Sequence, residues 1–119
     1  MIYHIAGKEI FKGIIATGFY SPDGLKNEGF IHCSTKEQVL KVANRFYASQ
    51  KELILLEIEE DKLKSNIVYE NFEGGMELFP HIYGPIPHDA INGIAIFTQE
   101  ENGYSCPQKW YAFEDVLTW

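Results

Sequence analysis

Arginine is nearly missing from this chain: nine of the ten basic residues are lysine, and Arg45 is the exception. The side chain best shaped for a bidentate grip on phosphate therefore occurs once. With a formal net charge of −7 and lysines scattered along the sequence, general nucleic-acid binding is disfavoured, because a phosphate backbone is held by clustered positive charge. Cysteine is sparse too. Cys33 and Cys106 do not form a C-x-x-C pair, so two reduced thiols are expected and not a redox or zinc motif. The most apolar stretch, LILLEIEE, is too short to cross a bilayer, and the opening MIYHIAGKEI has no basic segment leading into a long apolar run. The expectation is a cytoplasmic protein with no membrane partner. No G-x-G-x-x-G or P-loop string occurs, and no histidine pair at helical i, i+4 spacing, so neither those phosphate sites nor a metal site is expected.

What remains is an ordinary globular composition, 45% hydrophobic and 23% charged in 119 residues, which is enough for a single domain over residues 1–119 with one core. IYHIA at 2–6 reads as a strand, and Ile10, Phe11, Ile14 and Ile15 recur at helical spacing after it. GFYSPDGLKNEGF is rich in turn formers and reads as a loop. Ser34 with Glu37, and Thr35 with Gln38, both fit a capping box, so a helix is predicted from there to near Ser49, its stripe formed by Val39, Leu40, Ala43, Phe46 and Tyr47. ELILLEIEE carries aliphatics at both parities, as a central strand covered on both faces does, and NIVYE at 66–70 is a second strand. The segment ENFEGGMELFPHIYGPIPHD reads as irregular. INGIAIFTQ is a strand, ENGY an Asn-Gly turn, and KWYAF the returning partner. The pattern is α+β, without the regular alternation of a doubly wound fold.

Two strings concentrate chemistry. In GFIHCSTKEQ, the alternation of an extended chain places Phe30, His32 and Ser34 on one side and Ile31 with Cys33 on the other. His32 and Cys33 therefore point apart, which removes a Cys–His nucleophile pair and leaves Cys33 as a small core residue. In LFPHIYGP, His81 and Tyr83 share a face in the same way. If both faces line one cleft, two imidazoles and two hydroxyls converge. Against this stands the plainer reading that each pair only satisfies nearby carbonyls. His4 and His88 are expected to be structural or solvent-facing. Glu70 closes a strand where a charge can face a pocket, whereas Glu57, Glu59, Glu60 and Asp61 read as a solvated strand end.

GFIHCSTKEQ, LILLEIEEDKL, VYE and LFPHIYGPIP, in that order, resemble the small bacterial proteins called domain of unknown function 952, over nearly the whole stretch from Gly29 to Ile91. The resemblance implies the fold of ADP-ribosyltransferases: two small, mainly antiparallel sheets around a cleft with flanking helices. It implies NAD as co-substrate, with an H-x-[ST] motif that holds the nicotinamide ribose matched by His32 and Ser34; Gln38 and Tyr83 are further candidate binding residues. Glu70, Glu77 and Glu114 are the candidates for the glutamate such enzymes use late in the chain. The resemblance also groups the chain with RNA 2′-phosphotransferases, which implies a 2′-phosphoryl transferase as the other activity, and the scarcity of arginine departs from those phosphate-gripping members.

Two function classes follow. In a transferase, His32 would hold ribose hydroxyls, Tyr83 would meet the nicotinamide, His81 would shuttle a proton and Glu70 would stabilise positive charge on the sugar. In a binding module, the same cleft would hold a small polar metabolite or nucleotide unchanged. A third reading, a protein-interaction domain, would use exposed aromatics such as Trp110 and Trp119.

Overall fold

The computed structural model describes residues 1–50, 52–71 and 75–116. The chain runs β1 (Ile2–Ala6), α1 (Ile10–Thr17), β2 (Phe19–Tyr20), α2 (Asp23–Glu28), β3 (Ile31–His32), α3 (Lys36–Phe46), β4 (Glu52–Ile58), β5 (Ile67–Glu70), β6 (Phe79–Ile82), β7 (Ile86–Pro87), β8 (Ile91–Glu100) and β9 (Gly103–Tyr104). It is an α+β arrangement in which every pairing among these strands is antiparallel. Where two sheets were expected, the described strands form three, in the orders β1-β4-β8-β9, β2-β7 and β3-β6-β5.

β4 is central, as its double-parity aliphatics require. Ile54, Leu56 and Ile58 point into one core with Ile2, Phe11, Ile14, Ile31, Cys33 and Ile82. Leu53 and Leu55 point to the opposite face, where Tyr3, Ile5, Ala95 and Phe97 meet Val39 and Ala43 of α3. The four-stranded sheet thus carries α3 on one side and the small sheets with α1 on the other. Burying a Leu or Ile side chain contributes about 1.5–3 kcal/mol, so this two-sided strand is the main source of cohesion. No helix among the described residues is long and apolar enough to cross a membrane.

α3 starts with Thr35 as its N-cap and Gln38 completing the capping box; Gln38 Oε1 accepts from Thr35 N at 3.0 Å. Of the two registers that fit the sequence, this one prevails because Ser34 is held by β1: Tyr3 N donates to Ser34 O and Ser34 N to Tyr3 O, each at 2.8 Å. The helix ends at Phe46, short of Ser49, and Phe46 is 54% exposed and not part of the apolar stripe.

The loop predicted before Phe30 contains a short helix, α2, which buries none of its residues and so left no apolar periodicity to read. The segment read as irregular holds β6 and β7, and the predicted return strand KWYAF joins β8 only through an isolated Tyr111–Ile94 bridge; the true hairpin partner is β9.

Gly29 ends α2 in the left-handed conformation, φ 87°, with its N–H donating to Leu25 O at 2.9 Å. It turns the chain into β3. A Cβ there would meet nothing within 4 Å, so Gly29→Ala is opposed by backbone conformation alone. The expected outcome is a loss of about 1–2 kcal/mol in urea unfolding, with an unchanged m-value.

Candidate functional site

The β3-β6-β5 sheet has two faces of opposite character. In β3, Ile31 and the following Cys33 enter the core while His32 faces out; in β6, Ile82 enters the core while His81 lies on the His32 side. His32 and His81 are direct register partners across β3 and β6, their ring centroids 5.0 Å apart at 82°. The two motifs therefore lie side by side on neighbouring strands, not opposite each other across a hollow as the sequence suggested.

Phe30 organises these rings. It stacks on His81 with centroids 4.2 Å apart and planes 16° from parallel, meets His32 edge-on at 4.8 Å and Tyr83 at 5.5 Å. This residue was placed on the His32 side from sequence, but not recognised as part of the site. An aromatic two residues before a histidine in a strand was the available signal.

Glu70, at the end of β5, lies diagonally across from His81 and reaches it: His81 Nδ1 and Glu70 Oε1 are 2.9 Å apart. The Tyr83 hydroxyl donates to the same oxygen. Both bonds favour the ionised carboxylate. The Tyr83 bond above all, helped by His81, holds the Glu70 carboxyl below the usual carboxylate range despite partial desolvation, and the same bond raises the Tyr83 phenol. Among the described residues nothing bonds Glu70 Oε2.

A cleft of about 610 Å³, within the range of small-molecule sites, lies between this sheet, β1 and α3. His32, Ser34, Glu70 and His81 all line it, together with Arg45 and Phe46 from α3. His81 is buried at 3% exposure, whereas the His32 side chain is 60% exposed and pairs with Glu28 across 3.1 Å. Ser34 is buried and is a β1 bridge residue, not the helix cap.

Two proposed binding residues stand elsewhere. Tyr83 does not line the cleft, and its hydroxyl donates to Glu70. Gln38 does not line it either. Both ends of its amide are used structurally, Oε1 in the helix cap and Nε2 donating to Leu78 O at 2.7 Å. Glu77 lines the cleft and pairs with Lys41 at 3.5 Å, whereas Glu114 sits exposed in the 3-10 turn Phe113–Val116, away from it. Trp110 is 38% exposed and packs on Tyr3; Trp119 lies outside the described residues. No group of three metal-ligating side chains occurs among the described residues.

The remaining histidines were expected to be structural or solvent-facing, and the structure shows one of each. His88 lies exposed at Gly18 O, 3.3 Å away. His4 has a larger part: its Nδ1 is 2.6 Å from His32 O and its Nε2 is 2.9 Å from the Tyr20 hydroxyl. A carbonyl can only accept, so Nδ1 carries the proton and Nε2 receives the Tyr20 O–H. This arrangement needs a neutral ring. Burial, opposed by the His32 carbonyl and aided by the nearby His32 imidazole, holds the His4 pKa down at about 4.

The sequence model of a family described as "Protein of unknown function (DUF952)" matches residues 5–94. Among solved structures, the crystal structure of protein CC0527 from Caulobacter crescentus is similar at 29% identity, covering 99% of this chain and 98% of that one, with a TM-score of 0.73. A double mutant of the same protein gives 28% identity at the same coverage and TM-score. Its solution NMR structure gives 29% identity over 90% of each chain, again with a TM-score of 0.73. No curated protein matches the chain.

The depressed His4 pKa predicts a pH dependence with a definite sign. The unfolded chain takes up a proton near 6.5 and the folded chain only near 4, so stability is fully present above about 6.5 and declines as pH falls towards 4. The expected decline is roughly 1–3 kcal/mol, allowing for partial solvent access. Urea midpoints measured from pH 7.5 to 4.5 should show a shallower slope for His4→Gln than for the parent chain.

Proposed function

The chain belongs to the DUF952 family of proteins of unknown function, so its activity has to be read from the cleft, and we propose that this is a group-transfer site of the ADP-ribosyltransferase type, acting on NAD. The observation that carries the reading is the convergence of His81 and Tyr83 on one oxygen of Glu70, beside a cleft also lined by His32 and Ser34. A carboxylate held ionised and fixed from behind is what a reaction that builds positive charge on a sugar requires.

In this reading the bond between the ribose anomeric carbon and the nicotinamide nitrogen breaks, and its electron pair leaves with the nitrogen as neutral nicotinamide. Glu70 faces the positive charge that develops on the sugar. The acceptor attacks the anomeric carbon and yields its proton to the exposed imidazole of His32, with Ser34 beside it to hold ribose hydroxyls. His81 and Tyr83 act through Glu70: they position it and keep it charged. His81, stacked between Phe30 and this carboxylate, is thus a positioning residue, not the proton shuttle first expected.

A second reading, a module that binds a nucleotide or small polar metabolite without turning it over, is favoured by the burial of His81 and its existing pairing with Glu70, since such a network needs no chemistry to account for it.

The two readings part on one measurement. Purified protein incubated with NAD and an acceptor mixture should release nicotinamide, followed by chromatography, and Glu70→Gln should slow release by about 100-fold or more. Loss of His32 in His32→Ala should slow the acceptor-dependent part. Binding of NAD without release above the His32→Ala control selects the module instead.

A further inference from the structure

We propose that Arg45 is the anion anchor of this cleft, receiving a phosphate of the ligand at the end remote in charge from Glu70. The inference rests on the cleft being a ligand site, and adds to that reading the polarity with which a ligand lies in it.

Five residues that line the cleft can carry charge: His32, Arg45, Glu70, Glu77 and His81. Four of them are already engaged, His32 with Glu28, Glu77 with Lys41, and Glu70 with His81. Of these five cleft residues, Arg45 alone has no ion-pair partner among the described residues. Its guanidinium instead lies 5.0 Å from the centroid of the Phe46 ring, a contact that orients the planar group without using its hydrogen-bonding edges. Phe46 is itself a cleft residue left more than half exposed, so the pair presents a cation and an apolar plate on the same wall.

A plainer account is that a cation in the last turn of a helix complements the partial negative charge of the helix C-terminus. That account does not distinguish arginine from lysine. Lysine fills every other basic position in this chain, and the one guanidinium lines the cleft. A compact ammonium suits a helix end equally well; a rigid fork is selected where two oxygens of one group must be held together.

The cleft then has one anchored negative pole, Glu70, and one unengaged positive pole, Arg45. A ligand with an electron-poor ring or sugar at one end and a phosphate at the other fits only one way round. In a chain of net charge −7, a single cation cannot hold a polyanion by bulk attraction, which keeps the preference to phosphate within a small molecule.

The test is titration calorimetry at low ionic strength with three probes: inorganic pyrophosphate, ADP-ribose and nicotinamide riboside, which lacks phosphate. Arg45→Gln is solvent-exposed and is expected to keep the parent melting temperature; Arg45→Lys separates charge from geometry. Pyrophosphate and ADP-ribose should bind the parent chain, lose about tenfold or more in affinity in Arg45→Gln, and lose less in Arg45→Lys. Affinity for the riboside should not change. Equal ADP-ribose affinity in the parent and Arg45→Gln, or no phosphate binding by the parent, overturns the proposal. Arg45-dependent phosphate binding without nicotinamide release supports the anchor while overturning the transferase reading.

Discussion

Two backbone hydrogen bonds between Tyr3 and Ser34 join the structure's parts. β1 is an edge strand of the four-stranded sheet, and its free edge would otherwise be an open row of donors and acceptors. Ser34 takes part of that edge just as the chain leaves β3, so the small sheet carrying the two histidines is fixed to the large one carrying the core. Thr35 then caps α3, whose flank closes the cleft. His4, one residue beyond Tyr3 on the same strand, holds the carbonyl of His32. One point of contact thus sets the positions of β3, of the helix and of the exposed imidazole.

Within that frame, the polar network beside the cleft is organised by one carboxylate. Glu70 sits at a strand end with His81 and Tyr83 on a single oxygen, and both belong to β6 or to its immediate continuation. Two groups two residues apart on one strand therefore fix the third from a neighbouring strand. Packing supports this: Phe30 lies flat against His81, so the imidazole cannot turn without unstacking an aromatic ring.

Much of the fold was legible because periodicity was strong where the core is. The double-parity run of β4, the stripe of α3 and the strands β1 and β8 each announce themselves by what they bury. α2 did not, since a six-residue helix with no buried side chain has no pattern to show. β6 was hidden by Pro80, a residue that argues against an internal strand, yet the Pro80 carbonyl accepts from Cys33 N at 3.0 Å and the strand pairs on both sides. The site was partly readable. Alternation put Phe30, His32 and Ser34 on one face of their segment and His81 with Tyr83 on one face of theirs, and separated His32 from Cys33. It could not show that these segments are adjacent, nor that Tyr83 and Gln38 spend their polar groups on Glu70, Thr35 and Leu78, because register between distant strands is fixed by pairing and not by local pattern. The cleft position of Arg45 was likewise invisible, being a matter of which side of α3 faces the cleft once the helix packs on β1.

The alternation that turns His32 outward buries Cys33 at 4% exposure, and burial among aliphatic neighbours raises its thiol far above neutral pH. A sulfur that stays protonated is a poor target for alkylating agents and peroxide. The chain can therefore set a solvent-facing imidazole directly beside a cysteine in sequence without making that stretch sensitive to electrophiles or to the redox state of its surroundings.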